Sequence, residues 1–203
     1  MNRVRAIALA GGGLMALTTQ LAMNTGSIAQ LSNAQSSTSE AAWKLLQQAK
    51  PGYVVLMRHA EAPGTGDPAN FQLKDCSTQR NLSASGRAQA AKIGQAFRDR
   101  AIPIAKIFSS QWCRCLDTAR LLNLGAVEPF PALNSFFQNS NREPRQTATI
   151  RQWIKNKSSQ KGVSILVTHQ VNITALTNIF PRQGELIVLN TTADGTIKVV
   201  GRI

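Results

Sequence analysis

Acidic residues are scarce in this chain. Ten Asp and Glu stand against 23 Lys and Arg, for a formal net charge of +13 and a pI near 10.7. That field disfavours cationic partners and favours anionic ones: phosphate esters, nucleic acid or an anionic envelope surface. Aromatics are few as well, with 3 Trp, 1 Tyr and 7 Phe. The basic residues are scattered, with no basic stripe interleaved with stacking side chains, so nucleic acid is the weaker reading. Histidine is rarer still, since His59 and His169 are the only two. No carboxylate or cysteine is spaced to complete a zinc site with them, which argues against a metal centre or cofactor. No internal repeat and no second domain is visible. The length, 203 residues, suffices for one domain with a sizeable core.

Both histidines follow continuous apolar runs. Tyr53-Val54-Val55-Leu56-Met57 leads into Arg58-His59-Ala60-Glu61, with Pro51-Gly52 before it and a Gly- and Pro-rich loop, Ala62 to Asn70, after it. Val163 to Thr168 leads into His169. Runs of this length, rich in β-branched residues and punctuated by turn formers, read as buried strands. A third run, Ile104 to Phe108, passes through Ser109-Ser110 into a helix over 111–123 that carries Arg114 in its first turn. In a parallel α/β sheet, residues just past the carboxyl ends of strands line the ligand crevice. Three strand ends thus deliver His, His and Arg to one edge of one sheet. An arginine in a helix's first turn gains nothing from the dipole there. It does gain if an anion sits at that point and both bind it.

The remaining elements alternate. Helices are expected over 41–50, after Ser83 as N-cap with Ala90, Ile93, Gly94 and Phe97 as its core face, over 145–155, and over 172–179 with Pro181 ending it. The segment 125–141, with Phe136-Phe137, reads as irregular and close to the pocket mouth. Two final strands flank Ala193-Asp194-Gly195, a hairpin signal. The pattern predicts an α/β fold, a three-layer α/β/α sandwich on a mostly parallel sheet.

The N-terminus reads as an export signal. Met1 to Arg5 is short and positive, Ala6 to Met23 is uncharged and mostly apolar, and Ser27-Ile28-Ala29 offers a small-residue cleavage site. The expected organisation is a signal peptide over 1–29, a polar tether over 30–38 and the domain over 39–203, with the protein periplasmic or extracellular. The competing reading is an uncleaved membrane anchor, for which Gly11-Gly12-Gly13 makes a poor span. No cysteine follows the apolar run to suggest a lipoprotein. In an exported protein, Cys76 bridged to Cys113 or to Cys115 is expected, leaving one thiol.

A neutral imidazole is a competent nucleophile toward phosphorus, and guanidinium groups match phosphate oxygens with paired hydrogen bonds. The segment Arg58-His59-Ala60-Glu61 resembles the Arg-His-Gly signature of the histidine phosphatase superfamily, also called phosphoglycerate mutase-like. Arg80-Asn81-Leu82-Ser83-Ala84-Ser85-Gly86-Arg87-Ala88-Gln89-Ala90 resembles the segment that follows there. Ser110 to Ala119 is similar to its second-arginine segment, and Val167-Thr168-His169 to its second-histidine segment. The motifs occur in the family's order over about 53–190.

The resemblance implies that His59 takes the phosphoryl group, that Arg58, Arg114 and His169 hold its oxygens, and that Arg80 helps at the rim. Three positions depart from the family pattern: Ala60 and Gln170 replace glycines, and Asn134 stands where many members place the leaving-group acid. Asparagine cannot donate that proton as an acid does. Glu61, Asp75, Glu143 and Glu185 are the alternative carboxyls, and without an acid good leaving groups are hydrolysed best. The function expected is an exported phosphomonoesterase acting on a small phosphorylated substrate. The alternative is a non-catalytic binder of phosphorylated envelope glycans or lipids. The mutase option fits an exported chain poorly.

Overall fold

The computed structural model describes residues 37–203, except residue 49. The signal peptide reading of 1–29 and the tether up to residue 36 lie outside the described residues. Residues 37 and 38, expected to end the tether, already belong to helix α1, over 37–47.

Each long apolar run is a strand: β1 Tyr53–Arg58, β2 Ile104–Ser109, β4 Val163–Thr168, β5 Leu186–Thr191 and β6 Ile197–Arg202. A short strand, β3 Val127–Pro129, lies inside the stretch expected to be irregular. The sheet order is β3-β2-β4-β1-β5-β6. The pairs β2–β3, β2–β4 and β1–β4 are parallel, and β5 and β6 close one edge as an antiparallel hairpin. Pro129 is tolerated because β3 is an edge strand, where a missing N–H costs no central ladder bond.

Alternation along the central strands builds the layers. Val55, Met57, Ile165, Val167 and Val188 face Leu46 of α1, Phe97 of α2 (Ala84–Asp99) and Cys115 and Ala119 of α3 (Cys113–Leu121). Val54, Leu56, Leu166, Ile187 and Leu189 face Ile150 and Ile154 of α4 (Glu143–Lys155) and Ile173 of α5 (Gln170–Thr177). Each such side chain, fully buried, contributes roughly 1.5–3 kcal/mol relative to an exposed one. The result is the expected sandwich. No helix among the described residues is long and apolar enough to cross a membrane.

Helix ends have local causes. Ser83 caps α2 through its Oγ, which accepts from the Gly86 N–H. Helix α5 ends earlier than its proline suggested: Asn178 adopts a left-handed conformation at φ 59°, and its N–H donates to the Thr174 carbonyl. Gly86 has a packing reason. A Cβ there would lie 2.0 Å from the Glu61 carbonyl oxygen, so only glycine lets α2 ride against the backbone just past His59.

Candidate active site

Three strand ends are tied together at their carboxyl termini. The His59 N–H donates to the Thr168 carbonyl, the Ser110 N–H to the Val167 carbonyl, and the Gly184 N–H to both the Arg58 and His59 carbonyls. The chain just past β1 is also fixed to α3. The Ala60 N–H donates to Thr118 Oγ1 at 3.0 Å, and that hydroxyl donates to the Arg114 carbonyl at 2.7 Å. These bonds place His59, His169 and Arg114 at the floor of a cavity of about 520 Å³ that Arg58, Arg80 and Asp67 also line.

The imidazoles are buried, 2% and 4% exposed, with ring centroids 5.6 Å apart. Nδ1 of His59 lies 2.8 Å from the Ala60 carbonyl oxygen. A carbonyl only accepts, so Nδ1 carries the proton and Nε2 keeps its lone pair. Burial, then the charge of Arg114, lowers the His59 pKa to about 3 against the opposing Ala60 bond. The ring is neutral at ordinary pH and nucleophilic. Burial, then Arg114, also holds His169 well below the usual range. Arg114 Nη2 lies 3.5 Å from Nδ1 of His169 and can only donate, so the His169 proton sits on Nε2, 2.8 Å from Ser110 Oγ. Ser110 in turn donates to Asn134 Oδ1 at 3.3 Å.

Arg114 is 2% exposed and forks Asp67, with Nη1 donating to Oδ1 at 2.6 Å and Nη2 to Oδ2 at 3.1 Å. Trp112 Nε1 and the Arg80 N–H donate to the same carboxylate at 3.0 and 3.2 Å. Burial opposes the charge on Asp67, but these donors and the charge of Arg114 outweigh it and hold the carboxyl below its usual range. Arg58 is aimed by Nη1 donating to the Pro181 carbonyl at 2.9 Å. Arg80 donates from Nε to the Gly66 carbonyl at 2.8 Å and from Nη1 to the Ala62 carbonyl. The Nε atoms of Arg58 and Arg114 are among the buried polar atoms with no hydrogen-bond partner in the described structure. Unsatisfied buried cationic donors are costly, and an anionic ligand is what would satisfy such a cluster.

The end of α3 differs from expectation. Its leading N–H groups are partly occupied, Cys113 N–H by Gln79 Oε1 at 2.9 Å and Trp112 N–H by Ser110 Oγ at 3.3 Å. Anion binding there rests more on side chains than on the helix end.

The expected carboxyls lie elsewhere. Glu61 accepts from Ser83 Oγ at 2.7 Å, Asp75 caps a 3-10 turn, Glu143 opens α4, and Glu185 is buried against Arg202 at 2.7 Å. None of them lines the cavity. Asp67, unnoticed in its loop, is the one carboxylate among the lining residues. The Asn134 amide clamps the β2–α3 turn, accepting from the Gln111 N–H at 2.8 Å and donating to Gln111 Oε1 at 2.9 Å. Cys76 is bridged to Cys113, beside Arg114, and joins the loop before Arg80 to the start of α3. Cys115 is a buried thiol whose pKa is pushed up to about 12 by burial, so it is no nucleophile.

Residues 54–135, which hold His59, Arg80 and Arg114, match the family described as histidine phosphatase superfamily (branch 1). That match spans the segment carrying the first three of the four motifs. Solved structures agree on the fold. The protein histidine phosphatase SixA, complexed with tungstate, shares 14% identity over 74% of this chain and 96% of its own, at a TM-score of 0.54. A Mycobacterium tuberculosis open reading frame product shares 15% over 73% and 96%, at 0.55. Phosphoserine phosphatase from Entamoeba histolytica, complexed with 3-phosphoglyceric acid, shares 14% over 74% and 95%, at 0.53. No curated protein matches the sequence. The superfamily match stops at residue 135, and the structure adds His169 to the same floor.

Proposed function

We propose that this protein is an exported phosphomonoesterase that works through a phosphohistidine on His59. The match of residues 54–135 to the histidine phosphatase superfamily supports the class, phosphoric monoester hydrolase. One observation carries the mechanism: the Nδ1–H of His59 is held by the Ala60 carbonyl, which leaves Nε2 unprotonated in a cavity also lined by Arg58, Arg80, Arg114 and His169.

In the first step Nε2 attacks phosphorus, the N–P bond forms, and the bond from phosphorus to the ester oxygen breaks. Arg58 and Arg114 hold the equatorial oxygens, where charge gathers in the transition state, and His169 lines the same pocket with its Nδ1 against Arg114 Nη2. In the second step water attacks phosphorus, the P–N bond breaks, and inorganic phosphate leaves with His59 neutral again. Asp67 is ionised and engaged with Arg114, and Asn134 is not an acid, so the departing oxygen takes its proton from solvent. Esters with good leaving groups are therefore the better substrates.

Export is supported by the N-terminal pattern and by the Cys76–Cys113 bridge, which is stable in an oxidising compartment. The strongly basic surface allows a loose association with an anionic envelope surface. The test is turnover of a nitrophenyl phosphate by the purified protein. Wild type should hydrolyse it and His59→Ala should not. Vanadate binding without turnover would turn the reading to a non-catalytic phosphate-binding module.

A further inference from the structure

Large apolar side chains are exposed at few places among the described residues: Phe137 at 57%, Phe180 at 70%, Val199 at 42% and Val200 at 36%. The two valines lie on edge strand β6. Both phenylalanines line the cavity that holds His59, Arg58 and His169.

Neither ring stands on a loose loop. Phe180 directly precedes Pro181, whose carbonyl accepts from Arg58 Nη1 at 2.9 Å, so the phosphate-binding arginine also holds the backbone beside this ring. The Phe137 N–H donates to Ser135 Oγ at 3.2 Å, and its ring edge would lie 3.9 Å from a Cβ at Gly66. In the wall of the same cavity, Phe71 stacks on Trp112 with centroids 5.0 Å apart. A cavity of about 520 Å³ exceeds what a phosphoryl group needs. It falls in the range of roughly 300–1,000 Å³ that accommodates drug-sized ligands.

We infer that Phe137 and Phe180 are specificity-determining residues that receive an aromatic ring on the substrate's leaving group, making the substrate class aryl phosphomonoesters. The inference rests on the phosphomonoesterase reading and deepens it. Exposed rings fixed at a pocket mouth offer faces and edges to another ring. The chemistry points the same way. With no protonated carboxyl over the leaving oxygen, a phenol departs more readily than an alkyl alcohol, since its pKa is about 10. Tyr-like phenols meet both requirements together.

Phosphonates separate ring recognition from leaving-group chemistry, because their P–C bond is not hydrolysed. The experiment is calorimetric titration of the full-length protein with ethylphosphonate, hexylphosphonate and 2-phenylethylphosphonate. The phenyl compound should bind at least about 10-fold tighter than the ethyl compound, as expected from burying one ring. In the Phe137→Ala/Phe180→Ala double variant the ratio should fall to about 2-fold. Both side chains are largely exposed, so the variant should keep its fold. Equal binding of the phenyl and ethyl compounds by wild type overturns the inference. So does a ratio the double variant does not change, or hexylphosphonate binding tighter than the phenyl compound. If wild type binds none of the three and hydrolyses no nitrophenyl phosphate, the phosphomonoesterase reading fails as well. If it turns over nitrophenyl phosphate but shows no ring preference, the inference fails alone.

Discussion

At the floor of the cavity His59, His169 and Arg114 are almost fully buried, and Nδ1 of His59 and both nitrogens of His169 have partners at the strand ends. At the mouth, Phe137 and Phe180 stand more than half exposed on backbone that is fixed while their rings face open space. Burial at the floor costs solvation but keeps His59 neutral and both tautomers defined. Exposure at the mouth leaves apolar surface with no partner inside the protein. The difference separates two tasks. The floor determines which bond is broken, and the mouth determines what carries it.

The sharpest way to break this division is at the floor. His59→Ala should lower turnover of a nitrophenyl phosphate by about 10⁴-fold or more, with an unchanged circular dichroism spectrum; a smaller loss would move the nucleophile elsewhere. Arg114→Ala should lower kcat/KM about 10²- to 10³-fold, the usual effect of removing one transition-state donor. Arg114→Lys should recover little, because an ammonium cannot fork both Asp67 oxygens and still face phosphate. Rescue by lysine would show that charge alone suffices.

Two further predictions concern stability. The Cys76–Cys113 bridge spans 37 residues. Removing it with Cys76→Ser should cost about 4 kcal/mol in a denaturant titration on the chain-entropy estimate. No loss would mean that the loop is held by its other contacts. The buried imidazoles give a pH signature. Each has a folded-state pKa below its unfolded value of 6.5, for His59 about 3. As pH falls below 6.5 the unfolded chain gains protons that the folded chain refuses, so stability drops. The drop should reach up to about 2 kcal/mol per ring at pH 5, read as a shift in denaturation midpoint between pH 7 and pH 5. Stability that is flat across that interval would mean the rings are charged or solvated.

Much of the floor was legible in the residues themselves. Long apolar runs such as 53–57 and 163–168 have one solution in a layered fold, and a charged residue just past such a run has to sit at the sheet's edge. Strand β3 was not legible, because three residues ending in Pro129 carry no periodicity and form only through pairing with β2. Asp67 was hidden for a similar reason. It lies in a Gly- and Pro-rich loop, and only tertiary contact with Arg114 and Trp112 gives it a role. Position alone does not single it out, since Glu61 and Asp75 also lie between Arg58 and Arg80. The choice between Cys113 and Cys115 as partner of Cys76 turns on which face of α3 each occupies. Cys115 points into the core beside Ala119, while Cys113 meets the loop.

Trapping the covalent intermediate tests the nucleophile most directly. The protein is mixed with a ³²P-labelled aryl phosphate, quenched with base within milliseconds, and digested for mass spectrometry. Label on the peptide containing His59, stable in base, lost in acid and absent from His59→Ala, is the expected result. Wild-type turnover with no labelled protein, or label that persists in His59→Ala, would contradict it.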